Sequence, residues 1–545
     1  MKRDCMPITN SSSAQPLPPA RPSSRFWVRA AVAVLAVHAL LIVATFRDYG
    51  ISWDQIGGHL YQNAVIRFYA SHGTEKYAQE MTAKYYGAFF DLCATAVERI
   101  THLRWFEARG LTSALLGWIG TYAILRAGWI AFAPPVGVMA AVFLLLTPVY
   151  YGHEFINPKD APFAAMAMLA LYYMIRLAKE YPAPRWTTAI KTGLALGMAM
   201  GVRVGGLVLF GPLAVALVLT VIIGWWQIGF RASFKPTLWL ALQLGLIFPL
   251  AWAVMVAVWP FAWTDPIEAP RIALAEFAKY PWDGNVFYEG KLLKPWDLPW
   301  TYVPNLLVRT LPEHILLGLL AGVLSFGLIR RTTLESSRMP VIATCVLLAA
   351  FVWPLGVIWS FESNLYDGYR QVLFIVPPLI LLAAAGTWGL VHRLKQPAVK
   401  RGVIAVFGLA LVVVAYDLVS LHPYEYIYFN RSVAGGLPRA NRSYDLDYWA
   451  TAVREATEWV VKNYSAPSGT TVIYSMNDGE PDMVEELIHA RPASGIIFRR
   501  AVKEEKATLQ FLIRRERQTS EPTEGRVLHV VRRQGVPLVD VVETP

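Results

Sequence analysis

Eleven apolar stretches govern what this chain can fold into. They lie near residues 26–46, 107–127, 130–150, 162–178, 189–202, 204–224, 237–259, 312–329, 340–360, 371–390 and 402–421. A helix of about 20 apolar residues crosses the hydrocarbon core of a bilayer. Backbone polar groups find no water there, so such stretches span only as helices or as closed barrels. Runs of this length predict helices. Only 16% of the 545 residues are charged, against about a quarter in an average soluble domain. The chain reads as a polytopic α-helical membrane protein.

Residues 189–224 are too long for one ordinary span and short for two. "GVRVGG" at 201–206 interrupts them with three glycines and Arg203. Counting this run as two helices puts Arg126, the 176–191 loop, Arg231 with Lys235, the 330–338 loop and the 392–401 loop on one side. These are the basic loops, so that side is the cytoplasm. The N-terminus is then inside and the C-terminus outside. Residues 1–25, polar and rich in Pro and Ser, read as a disordered cytoplasmic tail before an uncleaved first span. The net charge of +11 belongs with basic loops beside anionic lipid, not with nucleic acid. Three scattered cysteines give neither a disulfide framework nor metal spacing.

The other side collects the unusual segments: loops 47–106, 151–161, 260–311 and 360–370, and everything from His422. In the first loop, Leu60, Ala64, Val65 and Phe68 share one helical face. Tyr85, Phe89, Leu92, Ala96, Ile100 and Leu103 share another, as in helices that lie in the membrane interface. Residues 422–545 read as a small α/β domain. It has helices in 448–464 and 481–490, strands in 469–476 and 494–500, and a hairpin turning at Gln534-Gly535.

Several ionisable residues stand at the mouths of these spans. Asp54, beside Trp53, is either a helix cap or a partly desolvated acid whose pKa rises toward that of a general base. Lys159 and Asp160 follow the Asn157-Pro158 turn at a helix start. There Lys159 either holds a phosphate or snorkels to the interface and pairs with Asp160. Arg203 faces a cavity or partner, or caps broken-helix carbonyls. Arg370, near Tyr366 and Asp367, is a phosphate ligand or half of an ion pair with Asp367. His153, Glu154 and His422 match no metal-ligand motif and read as hydrogen-bonding groups. A lipid with an anionic headgroup suits this geometry, its tail among helices and its phosphate against arginine and lysine.

In this order and spacing, "GISWDQ", "HEFINPKDAPFA", "GVRVGG", residues 298–314, "YDGYRQVLFIVPP" and residues 422–450 carry a resemblance. The chain resembles the GT-C superfamily of integral-membrane glycosyltransferases. The branch is that of the protein O-mannosyltransferases and bacterial aminoarabinose transferases, and the likeness is to bacterial family 39-like members. The resemblance implies about eleven spans, a catalytic face outside the cytoplasm, a polyprenyl-phosphate-linked sugar as donor, and inversion at the sugar carbon. It implies Asp54 as the acid that activates the acceptor, and Asp160 or Glu154 as the second acidic position. Lys159, Arg203 and Arg370 would face the donor phosphate, with His153, Tyr366, Asp367 and His422 toward acceptor or sugar. One departure is Gln55, where many members carry a second acid. The acceptor would be a glycan, lipid or protein, and the location a bacterial inner membrane with the tail in the periplasm. No cofactor beyond the donor lipid is required. A divalent cation is compatible, but no ligand motif indicates one. The rival class is a transporter or flippase of lipid-linked sugar, which would also use broken helices and intramembrane arginines. No repeat relates two halves of the chain, as many transporter folds would show.

Overall fold

The computed structural model describes residues 24–326, 338–467, 469–477, 482–489, 496–502, 505–514 and 525–545. The expected N-terminal tail, residues 1–25, lies outside the described residues apart from Ser24 and Arg25, which open the first helix. The basic loop 330–338 lies outside them except for Arg338.

Among the described residues, eight helices are long and apolar enough to cross a membrane, and two bent helix pairs qualify jointly. In one pair Pro134–Leu145 meets Pro148–Ile156 at 66°, and in the other Tyr302–Thr310 meets Glu313–Ser325 at 111°. Pro148 and Pro312 mark these corners, as expected where proline cannot continue a helix. The expected span at 189–202 is the helix Trp186–Met200. Its 15 residues rise only about 22 Å. The interruption at Arg203 is real: Arg203 is extended, with φ −142° and ψ 128°, and a 3₁₀ turn Val204–Leu209 precedes the next helix, Phe210–Ile228.

Burial separates centre from rim. The most apolar stretch of Asp160–Glu180 is 83% buried and that of Arg370–Arg393 is 78% buried, against 11% for Pro397–Leu421. The last exposes its apolar side chains, as a lipid-facing helix does. The two central helices begin at the same end of the bundle and deliver Asp160 and Arg370 there from rigid elements. At the other end Arg338 donates to the carbonyl of Tyr181 and Arg393 to that of Ser325, the latter at 2.7 Å.

The first outer loop folds into the helices Trp53–Ala70 and Phe89–Thr101. The expected apolar face of the first is buried except at Leu60, and that of the second is displaced. Tyr61, Ala64, Val65 and Phe68 are buried while Leu60 is 57% exposed. On the second helix the buried set is Phe90, Asp91, Ala94 and Thr95, while Ile100 is 79% exposed. The second helix therefore has a protein-facing stripe beside a more exposed apolar one, and simple periodicity cannot tell them apart. The loop joins the bundle where Gly87 meets Gly201. A Cβ on Gly87 would come within 2.1 Å of the Gly201 carbonyl oxygen, and Phe89 N donates to that oxygen at 3.0 Å.

From His422 the chain first runs back over this end of the bundle, burying Tyr424, Tyr426, Tyr428, Tyr448 and Trp449. The small α/β unit then begins with the helix Val453–Asn463. Its five-stranded sheet runs Ile497–Arg500, Thr471–Met476, Leu509–Ile513, Val536–Glu543, Arg526–Arg533 across its width. The first three strands are parallel and the last two antiparallel. The hairpin turns at Gln534 and Gly535, both at positive φ, as a tight two-residue loop requires. The strand Leu509–Ile513 was not expected from the sequence. The helix Asp482–His489 touches the first outer loop, where Trp105 Nε1 donates to Glu486 at 3.1 Å.

Candidate active site

The bend after Ile156 is the keystone. Asn157 Oδ1 accepts from the backbone N–H of Lys159 at 3.1 Å and of Asp160 at 2.7 Å. This turn satisfies amides that the next helix leaves free at its start. The Asn157 amide nitrogen donates to Asp160 Oδ2 at 3.1 Å and to His153 Nδ1 at 3.2 Å. The His153 proton is therefore on Nε2, which donates to the Tyr448 oxygen at 3.1 Å. Ser52, just before the Asp54 helix, donates to the carbonyl of Ile156 at 2.7 Å, and Gln55 donates there at 3.3 Å. One bend thus positions Lys159, Asp160 and the start of the Asp54 helix together.

Six charged groups converge on this bend. Lys159 Nζ lies 3.6 Å from Asp54. Arg370 reaches Asp54 at 3.4 Å, Asp160 at 3.2 Å and Asp367 at 3.2 Å. Arg203 pairs with Asp160. Asp367 and Gly368 both have positive φ, and this sharp turn brings the Asp367 carboxylate back onto Arg370. The side chain of Asp160 is 1% exposed and that of Arg370 6%, whereas Asp54 is 26% and Lys159 19% exposed. Deep groups are tied down while Asp54 and Lys159 stay reachable.

Aromatic rings fix the cations. The Arg370 guanidinium lies 5.0 Å from the rings of both Tyr366 and Trp449. Lys159 sits 4.2 Å from the Tyr86 ring, and Arg203 lies between Tyr86 and Phe277, at 5.8 and 5.6 Å. Cations held this way keep their charge but spend few hydrogen-bond donors. Arg370 Nε is buried with no hydrogen-bond partner, so a donor remains unused. On one flank lies a cavity of about 40 Å³, lined by His153 and Arg370 and by Tyr288, Tyr302, Tyr426 and Tyr448.

The expected rise in the Asp54 pKa is reversed. Burial pushes this carboxyl up, but Lys159 and Arg370 outweigh it and hold it below the usual carboxylate value. At rest Asp54 is an ion-paired carboxylate, a weaker base than the sequence led us to expect.

The structure brings together Asp54, Lys159, Asp160, Arg203, Tyr366, Asp367 and Arg370, with His153 two hydrogen bonds away through Asn157. It does not bring Glu154 or His422. Glu154 points into the bundle and meets His38 Nε2 at 3.1 Å, with both side chains buried. His422 sits at the junction with the tail, 2.7 Å from Glu425 and 3.1 Å from Asp48. No group of three or more potential metal ligands occurs among the described residues. Sequence reasoning assigned no role to Tyr86 or Trp449, and to Asn157 only that of a turn residue at the helix start. Tyr86 had one usable signal, the glycine after it in an apolar stretch, which marks a close backbone approach.

No family model matches the sequence, and no curated protein matches it either. Solved structures of similar fold include the following. ArnT from Cupriavidus metallidurans, bound to undecaprenyl phosphate, shares 13% identity at a TM-score of 0.46, over 95% of this chain and 98% of that one. The archaeal oligosaccharyltransferase AglB from Archaeoglobus fulgidus, in complex with an inhibitory peptide and a dolichol-phosphate, shares 12% at 0.46, over 83% of this chain and 63% of that one. The arabinofuranosyltransferase AftD from Mycobacteria shares 13% at 0.39, over 96% of this chain and 40% of that one.

Proposed function

We propose that this chain is a GT-C-type glycosyltransferase of the membrane, moving a sugar from a polyprenyl-phosphate-linked donor to an acceptor on the extracytoplasmic face. The observation that carries the reading is the gradient within the charged cluster. Arg370 is buried and Arg203 mostly so, both set against rings, as a pre-arranged counter-charge should be, and Asp54 lies at the accessible rim. In an orientation with the basic loops in the cytoplasm, the cluster and the tail face the periplasm of a bacterial inner membrane.

The chemistry follows from the pairing. The donor is a phosphodiester bearing one negative charge. Its phosphate competes with Asp54 for Lys159 and Arg370, and Arg370 Nε offers a donor it has not used. As those cations turn toward the phosphate, the field that holds the Asp54 pKa down weakens and the carboxylate becomes a better base. Asp54 then takes the proton from the acceptor O–H or N–H. The freed electron pair forms the bond to the sugar carbon, and the bond from that carbon to the phosphate oxygen breaks on the opposite face, inverting the centre. The departing phosphate keeps the electron pair and is neutralised by Arg370, Arg203 and Lys159. Charge placed in advance for such a leaving group is worth about 3 kcal/mol per donor. Asp160 and Asp367 hold the arginines in place. This needs no metal, since the cations supply the charge.

Purified protein in nanodiscs, given a panel of radiolabelled polyprenyl-phosphate sugars and a membrane-extract acceptor pool, should transfer label from at least one donor. Lipid-linked sugar that crosses the bilayer of sealed proteoliposomes unchanged, with no transfer from any donor, would replace this reading with that of a flippase.

A further inference from the structure

Beside the charged cluster lies a second buried network that the mechanism above does not use. Arg109, in the first turns of the helix Trp105–Ala131, is 1% exposed. Its Nη1 donates to Gln62 at 2.6 Å and to Asp91 at 2.8 Å. Gln62 is on the helix that begins with Asp54, and Asp91 is on the next outer-loop helix. Gln62 also donates to Glu98 at 2.9 Å, on that same second helix. Tyr61 donates to the carbonyl of Tyr86 at 3.0 Å. A cavity of about 20 Å³ joins this network to Lys159, with Gly58, Tyr61, Tyr86, Asp91 and Arg109 among its walls. Gly58 belongs to the arrangement, because a Cβ there would land 2.4 Å from Arg109 Nη2.

A buried arginine–carboxylate pair is weak evidence for stability, since hydrophobic residues of similar volume often do as well. Here the pair joins two elements that are otherwise only interfacial helices to one that is rigid. We propose that Arg109 is a positioning residue: from the rigid span it pins both outer-loop helices and so sets where Lys159 stands between Asp54 and the Tyr86 ring. The reaction it serves is that of the proposed function, on which the inference rests. A reacting group displaced by 1 Å loses on the order of 10²-fold in rate. Burial pushes the Asp91 carboxyl up, against the pull of Arg109.

Three variants test it with two readouts: kcat and KM for the donor, and the rate at which a water-soluble amine reagent modifies Lys159, followed by mass spectrometry. Asp91→Asn keeps an acceptor for Arg109 and should stay within about threefold of wild type in both, since the hydrogen bond survives. The double variant Arg109→Met with Asp91→Leu removes both charges together and should keep the wild-type melting temperature. Its kcat/KM should nonetheless fall at least about tenfold, with Lys159 modified several-fold faster. A folded double variant that transfers and labels at wild-type rates overturns the proposal. Should the double variant not fold, Gly58→Ala decides by the same two readouts, since it adds one methyl and no charge. If the wild type transfers no lipid-linked sugar, the function fails, yet Lys159 labelling still reads this inference: faster modification supports it and an unchanged rate sinks it.

Discussion

Glu154 and Asp160 are six residues apart in one polar stretch, both are about 1% exposed, and their surroundings could hardly differ more. Asp160 meets two arginines and the Asn157 amide. Glu154 meets His38 alone among the described residues, its Oε1 has no partner, and Gly117 opposite leaves just enough room for it. One carboxylate lies where several cations converge beside water. The other is a single buried pair inside the bundle. On the proposed reading, the number of cations around an acid, rather than its burial, separates the region that would carry an anionic substrate from the one that only joins helices.

The comparison is sharpened most by Asp54→Asn, which keeps size and most hydrogen bonding but cannot take a proton. Single-turnover transfer with donor saturating should drop about 10²–10⁴-fold, with donor binding and folding intact. A rate within a few-fold of wild type would remove Asp54 from the mechanism. Next comes Arg370→Ala, which should lower transfer by about 10²–10³-fold and weaken polyprenyl-phosphate binding in an equilibrium assay. Arg203→Ala should follow in the same direction. Wild-type donor affinity in both would dissolve the distinction drawn above.

On the other side of the comparison, His38→Leu takes away the partner of Glu154. The melting temperature should fall by the equivalent of about 1–3 kcal/mol, while transfer per folded molecule stays within a few-fold. A loss comparable to that of Asp54→Asn would show that the inner pair belongs to the chemistry after all.

The smallest effect concerns His422. Burial lowers its pKa, but Glu425 and Asp48 outweigh that and raise it. With the folded value above the unfolded one, its contribution is fully present below the unfolded pKa of about 6.5 and fades as pH rises through the folded value. The protection against hydrogen exchange at the 422–425 junction, with the intrinsic rise of exchange with pH divided out, should therefore fall modestly between pH 6 and pH 8.5, and His422→Gln should abolish that fall. Lys395→Ala, in a basic loop far from both regions, should alter nothing.

The spans were legible because hydrocarbon leaves so few choices, and the interruption at Arg203 because three glycines and an arginine break an apolar run openly. The ends of the central helices were legible for the same reason, which is why Asp160 and Arg370 could be placed at one mouth. What could not be read was which side of the helix Phe89–Thr101 meets protein, since lipid accepts the same residues that a core does. The ring partners were hidden too. Tyr86 reaches Lys159 across 73 positions, and Trp449 reaches Arg370 across 79, with nothing local to announce either. The sign of the Asp54 shift was lost in the same way, because both cations come from other helices.

Asp54, Asp160 and Asp367 face Lys159, Arg203 and Arg370, so the resting cluster carries no formal net charge. Such a site projects little field into water beyond a Debye length of about 8 Å. It cannot draw a charged partner from a distance, as a one-signed cleft does. Encounter must then come from lateral diffusion within the bilayer plane, where a lipid already lies at the right depth and orientation. On the proposed reading, traffic to the site would be governed by the surface density of the lipid-linked donor and by membrane viscosity, and would be nearly indifferent to ionic strength.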